Sequence, residues 1–231
     1  MKRFWTDVAV VPDGDRYGIA LDAKPVRTPG RAPLAVPTAA LAEAIADEWR
    51  GIADTIDPRA MPLTGLANAA IDKIAPDTAA FATGLARYGE SDLLYYRAEE
   101  PEPLVARQRA AWDPALDWAR TRYDVHFETT AGVMHRAQPP ATLERLGEAM
   151  AVRDAFTLAG LHPVVTVTGS LILALALVEG AMDADTVWNA ARIDEDWQEE
   201  MWGKDDLAEQ ATAAHRADFD AGARFVSLLR G

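Results

Sequence analysis

The stretch LAVPTAALAEAIADEWRGI, residues 34–52, decides the fold, because the spacing of its apolar residues changes at Thr38. Before Thr38, Leu34 and Val36 lie two residues apart between prolines, which is typical of a short edge strand. Thr38 is a typical helix N-cap, and the apolar residues that follow it recur at helical spacing; they are Leu41, Ile45, Trp49 and Ile52. The stretch therefore predicts a boundary between a β unit and a helical region.

The residues before this boundary, about 3–37, are patterned as a small antiparallel β unit. A first strand is expected over Phe4 to Val11, and Asp13-Gly14-Asp15 supplies a turn. Apolar residues then continue with period two, and short edge strands follow among several prolines. The residues that carry this pattern are Tyr17, Ile19, Leu21 and Val26, with Asp22-Ala23-Lys24 as a second turn candidate.

Helical spacing dominates after the boundary. An apolar stripe runs from Leu63 and is closed by Pro76. A helix over 104–111 is expected to be followed by a separate helix, with Asp113 as its N-cap and Pro114 in its first turn. Four further helices are predicted: one after Pro139-Pro140, an apolar one from Leu171 capped by Ser170, one capped by Asp185 and running toward Trp202, and an Ala-rich one over about 206–229.

The whole pattern predicts an α+β fold, with a small N-terminal antiparallel β domain followed by a larger α-helical domain. We place the two domains at residues 1–37 and 38–231. A short extended piece is expected at 123–129, and no internal repeat is found at a constant period.

Composition excludes several classes of function. The net charge of −13 opposes binding to nucleic acid or to anionic lipid surfaces. The absence of cysteine excludes a thiol nucleophile, a disulfide framework and a cysteine zinc site. The apolar run Val164 to Val178 is too short to span a bilayer, so it predicts a buried helix with a lead-in loop. With no secretory signal at the N-terminus, a cytoplasmic location is expected.

Motifs for catalysis or cofactor binding are not found. The four histidines lack the spacing of a helical zinc site, and there is no phosphate-binding loop of the P-loop type. Gly169-Ser170 lacks the second glycine of a nucleophile elbow, which favours the interpretation of Ser170 as a helix cap. We therefore expect no catalytic residue, no metal and no cofactor.

The densest charge pattern lies between Asp194 and Glu209, where eight acids accompany one lysine, Lys204. A solvated helix face is the simple interpretation of such a run. A metal-assisted hydrolase is the second, although Asp194 and Asp196 would point about 200° apart on a helix and could not ligate one ion together. The remaining members are Glu195, Glu199, Glu200, Asp205 and Asp206.

Two tryptophans interrupt this acidic run, and they suggest a third interpretation. Trp197 and Trp202, with Gln198 and Met201, combine aromatic anchors with surrounding charge, as partner-binding hot spots do. Alternatively, both tryptophans pack inward while the acids face solvent. Trp49 continues the Leu41/Ile45 stripe, so it is expected in the core, with partner contact as its lesser role.

Six blocks in order resemble a chaperone family, the "ATP-twelve" chaperones, which receive the alpha subunit of the catalytic (F-one) sector of ATP synthase. The blocks begin at Arg3-Phe4-Trp5 and extend to Trp202-Gly203, so the resemblance covers most of the chain. They are Arg3–Pro29, Pro37–Trp49, Met61–Asp72, Tyr88–Arg97, Gln108–Trp118 and Arg192–Gly203. No mitochondrial presequence precedes Arg3, which favours a bacterial member.

The resemblance implies a non-enzymatic function. A family member binds the free alpha subunit at the surface that the beta subunit later covers. That surface is apolar and prone to aggregation until assembly covers it. Under this interpretation the partner-binding residues are Asp194, Glu195, Asp196, Trp197, Gln198 and Trp202, with Trp49 as a lesser candidate. The alternative is a structural or adaptor protein with a different protein client.

Overall fold

A computed structural model describes residues 2–203 and 206–230 of the chain. Its strands are β1 (Val8–Asp13), β2 (Arg16–Leu21), β3 (Lys24–Pro25), β4 (Ala35–Val36), β5 (Tyr96–Arg97) and β6 (Thr130–Ala131). Its α-helices are α1 (Ala39–Arg50), α2 (Pro62–Ala69), α3 (Thr78–Ala86), α4 (Glu102–Tyr123), α5 (Pro140–Ala151), α6 (Ala155–Thr168), α7 (Leu171–Glu179), α8 (Ala184–Ala191), α9 (Ile193–Trp202) and α10 (Asp206–Leu229). The small antiparallel sheet followed by a mainly helical region confirms the predicted α+β fold.

The N-terminal sheet is organised around β2, which pairs antiparallel with β1, β3 and β4. The predicted turn between β1 and β2 is confirmed, with Gly14 in the left-handed region at φ +64°. The second predicted turn is also present, and both Asp22 and Ala23 have positive φ. The Asp22 carboxylate accepts the backbone N–H groups of Thr6 and Asp7, which lowers its pKa.

The first strand begins four residues later than predicted, at Val8 instead of Phe4. The backbone N–H groups of residues 6 and 7 bond to the Asp22 side chain, so these residues do not join the sheet. Trp5 is buried, but Phe4 is largely exposed. Period-two spacing could not reveal a side-chain acceptor at the sheet edge.

Helix α1 begins as predicted, because the Thr38 hydroxyl accepts the N–H of Leu41 at 3.2 Å. One function of this helix was not predicted. The Glu48 carboxylate accepts the backbone N–H groups of Leu63 and Thr64, at 2.7 and 2.8 Å. A carboxylate at a helix N-terminus satisfies donors that have no partner within the helix, so Glu48 fixes the start of α2.

The apolar stripe after Leu63 does not stop at Pro76 as expected. Helical backbone continues from α2 through a π turn over Ala70–Ile74 and a 3₁₀ turn over Ala75–Asp77 into α3. Pro76 lies in the first turn of the 3₁₀ segment, where the missing N–H of proline carries little cost.

The two helices expected around Pro114 are one helix, α4, and this prediction was wrong. Proline inside a helix removes one hydrogen bond and crowds the preceding turn. Neighbouring contacts hold α4 together despite that cost: the indole N–H of buried Trp112 donates to the carbonyl of Ala190 at 2.7 Å. Asp113 pairs with Arg97 at 2.8 Å and is not an N-cap.

The apolar run Val164 to Val178 is mostly buried, but its lead-in is helical where a loop was expected. Helix α6 continues to Thr168, because Val164 and Val165 are fully buried and their backbone groups need partners. Gly169, at φ +65°, separates α6 from α7. The Ser170 hydroxyl accepts the N–H of Leu173 and caps α7, as predicted. Among the described residues, no helix combines the length and apolar character that crossing a membrane requires.

Two expectations for the next helices were also wrong. The N-cap of α8 is Asp183, whose carboxylate accepts the N–H of Thr186 at 2.7 Å, whereas Asp185 is exposed and pairs with Arg216. The expected continuous helix to Trp202 breaks at Arg192, and α9 begins at Ile193. Residues 123–129 contain no strand, although β6 follows directly and pairs parallel with β5.

The chain forms two compact units. The first contains residues 1–78, Asp154–Gly160 and Ala221–Gly231, and its core is built from the sheet, α1 and α2. The second contains Ala79–Arg153 and Leu161–Asp220, with residues 171–177 of α7 buried in its core. The division of the chain into folding domains at 1–37 and 38–231 stays a prediction, because compactness does not decide which segments fold independently.

Candidate functional site

The acidic helix α9 contacts α4 in the second unit through the side chain of Gln108. The amide Nε2 of Gln108 donates to the Asp194 carboxylate at 2.6 Å. The Gln108 carbonyl accepts the backbone N–H of Ala98 at 2.8 Å, and the Gln108 side chain is buried. Gln108 therefore joins the start of α9 to the segment after β5, and Asp194 has a structural partner.

Trp197 lies beside α4, with the Arg107 guanidinium 4.9 Å from the centre of its ring. Arg107 also pairs with Glu200 at 2.8 Å, and this hydrogen bond lowers the pKa of the Glu200 carboxyl. Both partners are about half exposed, so the pair contributes little to stability. Its effect is to hold the arginine over the half-buried indole.

The remaining acids of α9 divide into paired and unpaired positions. Arg192, which is largely buried, contacts both Asp196 and Glu199, at 3.1 and 2.8 Å. Glu195 is exposed, and no ion pair involves it within residues 2–203 and 206–230. The predicted cluster is therefore partly an internal charge network, and its members Lys204 and Asp205 lie outside the described residues.

The end of α9 exposes large apolar side chains. Trp202 is 79% exposed and Met201 is 53% exposed. The alternative in which both tryptophans pack inward is therefore wrong for Trp202, whereas Trp197 is half buried. An exposed indole beside a thioether is unusual on a surface unless the surface meets a partner.

A groove of about 680 Å³ separates α9 from the start of α4 and the loop after β6. Its walls are mostly apolar, and Asp194 and Gln198 lie along it. The residues that supply the apolar surface are Tyr96, Pro101, Leu104, Val133, Trp197, Met201 and Trp202. Four of the seven predicted site residues line the groove, namely Asp194, Trp197, Gln198 and Trp202, whereas Glu195 and Asp196 lie on the same helix outside its lining.

The opposite wall was not predicted. Val133 and Met134 are 92% and 77% exposed in the loop after β6. Two apolar residues between Gly132 and His135 are a detectable signal, since loops of this kind are usually polar. The position of Val133 at the groove could not be predicted from the sequence, because it depends on the parallel pairing of β5 with β6.

The acids do not form a metal centre in the part of the chain that the structure describes. No three histidine or carboxylate side chains there are grouped as ligands. Asp194 and Asp196 are directed to different partners, Gln108 and Arg192, as the helix geometry predicted.

Trp49 lies in the first compact unit, on α1. Its ring meets the ring of Trp5 edge-on at 5.3 Å, and it is half buried. Neither indole nitrogen has a hydrogen-bond partner among the described residues. Its partner contact stays a prediction, and its ring packs against buried Trp5 although Trp49 itself is only half buried.

Comparison with known proteins gives three kinds of similarity. A family model described as ATP12 chaperone protein matches residues 2–120. The mitochondrial protein atp12 of Schizosaccharomyces pombe is 23% identical over 214 residues, which are 87% of this chain and 74% of that protein. The family match ends before α9.

Solved structures extend the similarity over the groove. Atp12 from Paracoccus denitrificans is 45% identical, with a TM-score of 0.94 over 99% of this chain and 98% of that chain. The Atu1473 protein from Agrobacterium tumefaciens is 41% identical, with a TM-score of 0.93 over 99% of this chain and 86% of that chain.

Proposed function

This chain is a bacterial member of the ATP12 chaperone family, which acts in ATP synthase assembly, and we propose that its client is the free alpha subunit of the F-one sector. In this proposal the chaperone covers the beta-contacting surface of the alpha subunit until the beta subunit displaces it. The mechanism needs no catalytic residue and no cofactor, and the protein acts in the bacterial cytoplasm.

The observation that carries the proposal is the exposed apolar end of α9. Trp202 and Met201 lie at one side of the groove, and Val133 lies in the loop that forms the other. Burying these side chains under a client would remove apolar surface from water on both partners. Tryptophan is also the side chain most enriched among binding hot spots.

The acidic charge of α9 supports the assignment of the same surface to client binding. Glu195 is the exposed, unpaired acid of α9 within the described part of the chain, and the chain carries a net charge of −13. Acids at the edge of an interface act mainly on the association rate, through attraction of a basic partner surface. Trp197, Gln198, Asp194 and Asp196 complete the proposed contact region, with Trp49 as a lesser candidate.

Charge reversal at Glu195 tests the assignment of this surface. We expect Glu195→Lys to weaken capture of purified alpha subunit by about tenfold while the protein stays folded, because the substitution removes no described contact. The matched control is Glu144→Lys, since Glu144 is an exposed acid on α5. Capture is measured by pull-down and by surface-immobilised binding at equal ionic strength.

Two outcomes would contradict the proposal. Equal capture by folded Glu195→Lys and wild type would remove α9 from the contact surface. Co-purification from the native cell that yields a different protein and no alpha subunit would favour the adaptor alternative.

A further inference from the structure

A second cavity, of about 360 Å³, opens beside the groove and is lined by three arginines. Arg109 and Arg120 lie on α4, and Arg97 faces them from β5. Asp113 and Asp117 lie between them on the same face of α4. Three guanidiniums and two carboxylates leave the cavity with one formal positive charge, in a chain that is otherwise strongly acidic.

Arg97 supplies the donors at the inner side of this cavity. Its Nε donates to the carbonyl of Leu94, one Nη donates to Asp113, and the guanidinium lies 5.2 Å from the centre of the Trp112 ring. Guanidinium has five N–H groups, so some remain for a ligand. The side chain is only 16% exposed, and burial, together with the nearby Arg109 and Arg120, lowers its pKa.

Arg109 supplies the uncompensated charge. Arg120 pairs with Asp117 at 2.5 Å, and Asp113 is engaged by Arg97. Within residues 2–203 and 206–230, Arg109 takes part in no ion pair, although it lies one turn before Asp113. A planar cation with free donors at a cavity wall is suited to a carboxylate, which it can bind through two parallel hydrogen bonds.

The cavity and the apolar groove are neighbours. Arg97 and Gln108 line both of them, so a single bound segment can reach from one to the other. The groove offers apolar surface on one side of these two residues, and the cavity offers arginine donors on the other.

We propose that the cavity lined by Arg97, Arg109 and Arg120 binds a carboxylate side chain of the client, while neighbouring apolar residues of the same segment occupy the groove. The inference rests on the proposed function in that it assigns the carboxylate to the client. It adds a selectivity element, because a segment with an acid beside apolar residues would be preferred over a purely apolar one.

The test compares two short probes on the full-length protein. The first is the capped peptide acetyl-Leu-Asp-Leu-amide, and the second is its Asn twin, which has the same shape without the charge. Binding is followed by NMR of the arginine Nε–H groups. We expect the Asp peptide to shift the Arg97 and Arg109 signals and to bind about tenfold tighter than the Asn peptide.

Arg109→Ala should abolish this preference, and Arg145→Ala, an exposed arginine on α5, should retain it. Inorganic phosphate is the third probe. Equal binding of the two peptides by wild type would overturn the inference, and so would phosphate binding at these arginines without binding of the Asp peptide.

The alpha subunit itself separates this inference from the proposed function. If wild type and Arg109→Ala capture the alpha subunit equally, the carboxylate site is wrong while the chaperone proposal stands. If neither protein captures it but the Asp peptide is still preferred, the client assignment is wrong and the carboxylate site stands.

Discussion

The tryptophans of this chain differ in burial and in hydrogen bonding, so residue type alone does not determine their role. Trp112 is fully buried and its indole N–H has a carbonyl partner, so its function is structural. Trp202 exposes most of its surface on the edge of the groove. Trp49 is intermediate: half buried against Trp5, with no partner for its nitrogen in the described part of the chain. The same residue type therefore packs in the core in one place and is exposed at the groove in another.

Replacing two of these tryptophans by arginine separates the two functions. We expect Trp49→Arg to lower the free energy of unfolding by about 3 kcal/mol, because the ring contact with Trp5 is lost and a charge is placed against Trp5, which is buried. Trp202→Arg should leave the melting temperature near that of wild type but weaken capture of the alpha subunit. Thermal unfolding and pull-down are measured on both variants. A wild-type melting temperature for Trp49→Arg would mean that its ring does not contribute to the core.

Elements are joined here by buried polar side chains that helical spacing does not reveal. Asp92 has no exposed surface, and its two carboxylate oxygens accept the N–H groups of Leu94 and of Ile172, at 3.1 and 3.0 Å. It thereby caps the short 3₁₀ turn Leu93–Tyr95 and also contacts the start of α7. Burial raises the pKa of Asp92 to about 6, and hydrogen bonds from these N–H groups oppose that rise.

The raised pKa of Asp92 predicts a pH dependence of stability with a definite sign. Between pH 3.8 and about 6 the unfolded chain releases the Asp92 proton while the folded chain keeps it. The free energy of unfolding should therefore fall as pH rises through this window, by about 3 kcal/mol from this group. Urea unfolding of wild type and Asp92→Asn across the window isolates the effect, since the difference between them should follow this slope.

Asp183→Asn is the control for that experiment. Asp183 is exposed at the N-cap of α8, and its hydrogen bond from Thr186 lowers its pKa. Its contribution is therefore present at neutral pH and is lost on acidification below its ordinary pKa, opposite in sign to that of Asp92. A difference between wild type and Asp92→Asn that does not change from pH 3.8 to about 6 would show that Asp92 ionises normally.

On the scale of the whole molecule, the C-terminal part of α10 belongs to the first compact unit, together with the N-terminal sheet. The Thr38 hydroxyl, which caps α1, donates to the carbonyl of Leu228 at 2.7 Å. Phe225 and Val226 are buried, and they approach Gly160 so closely that a Cβ added there would lie 2.8 Å from Val226. Phe225 and Val226 therefore belong to the core of the unit that contains the N-terminal sheet.

Truncating Phe225 tests this arrangement. We expect Phe225→Ala to lower the free energy of unfolding by about 4 kcal/mol, because it leaves a cavity in a fully buried site. Loss of amide-exchange protection should extend to β1 and β2, more than two hundred residues earlier in the chain. Ser227→Ala, an exposed substitution on the same helix, should change neither quantity. Protection lost only near residue 225 would mean that the C-terminal segment frays independently.

The sequence alone predicted the order and type of most elements, because periodicity and caps are local properties. The boundary at Thr38, the cap at Ser170 and the Ala-rich last helix are all set by residues within one or two turns of each other. Six ordered blocks were likewise sufficient to indicate the family. The acids and tryptophans of α9 could also be selected as candidate contacts from their composition.

Tertiary contacts decided what local patterns could not. Helix α4 continues through Pro114 because Trp112 and Asp113 have partners far along the chain, Ala190 and Arg97. Asp194 and Glu200 of α9 are paired, while Glu195 is exposed, because Gln108 and Arg107 of α4 approach the first two and not the third. The role of a charged or aromatic side chain depends on the atoms around it. Here those atoms belong to residues distant in sequence, so only the tertiary structure determines that role.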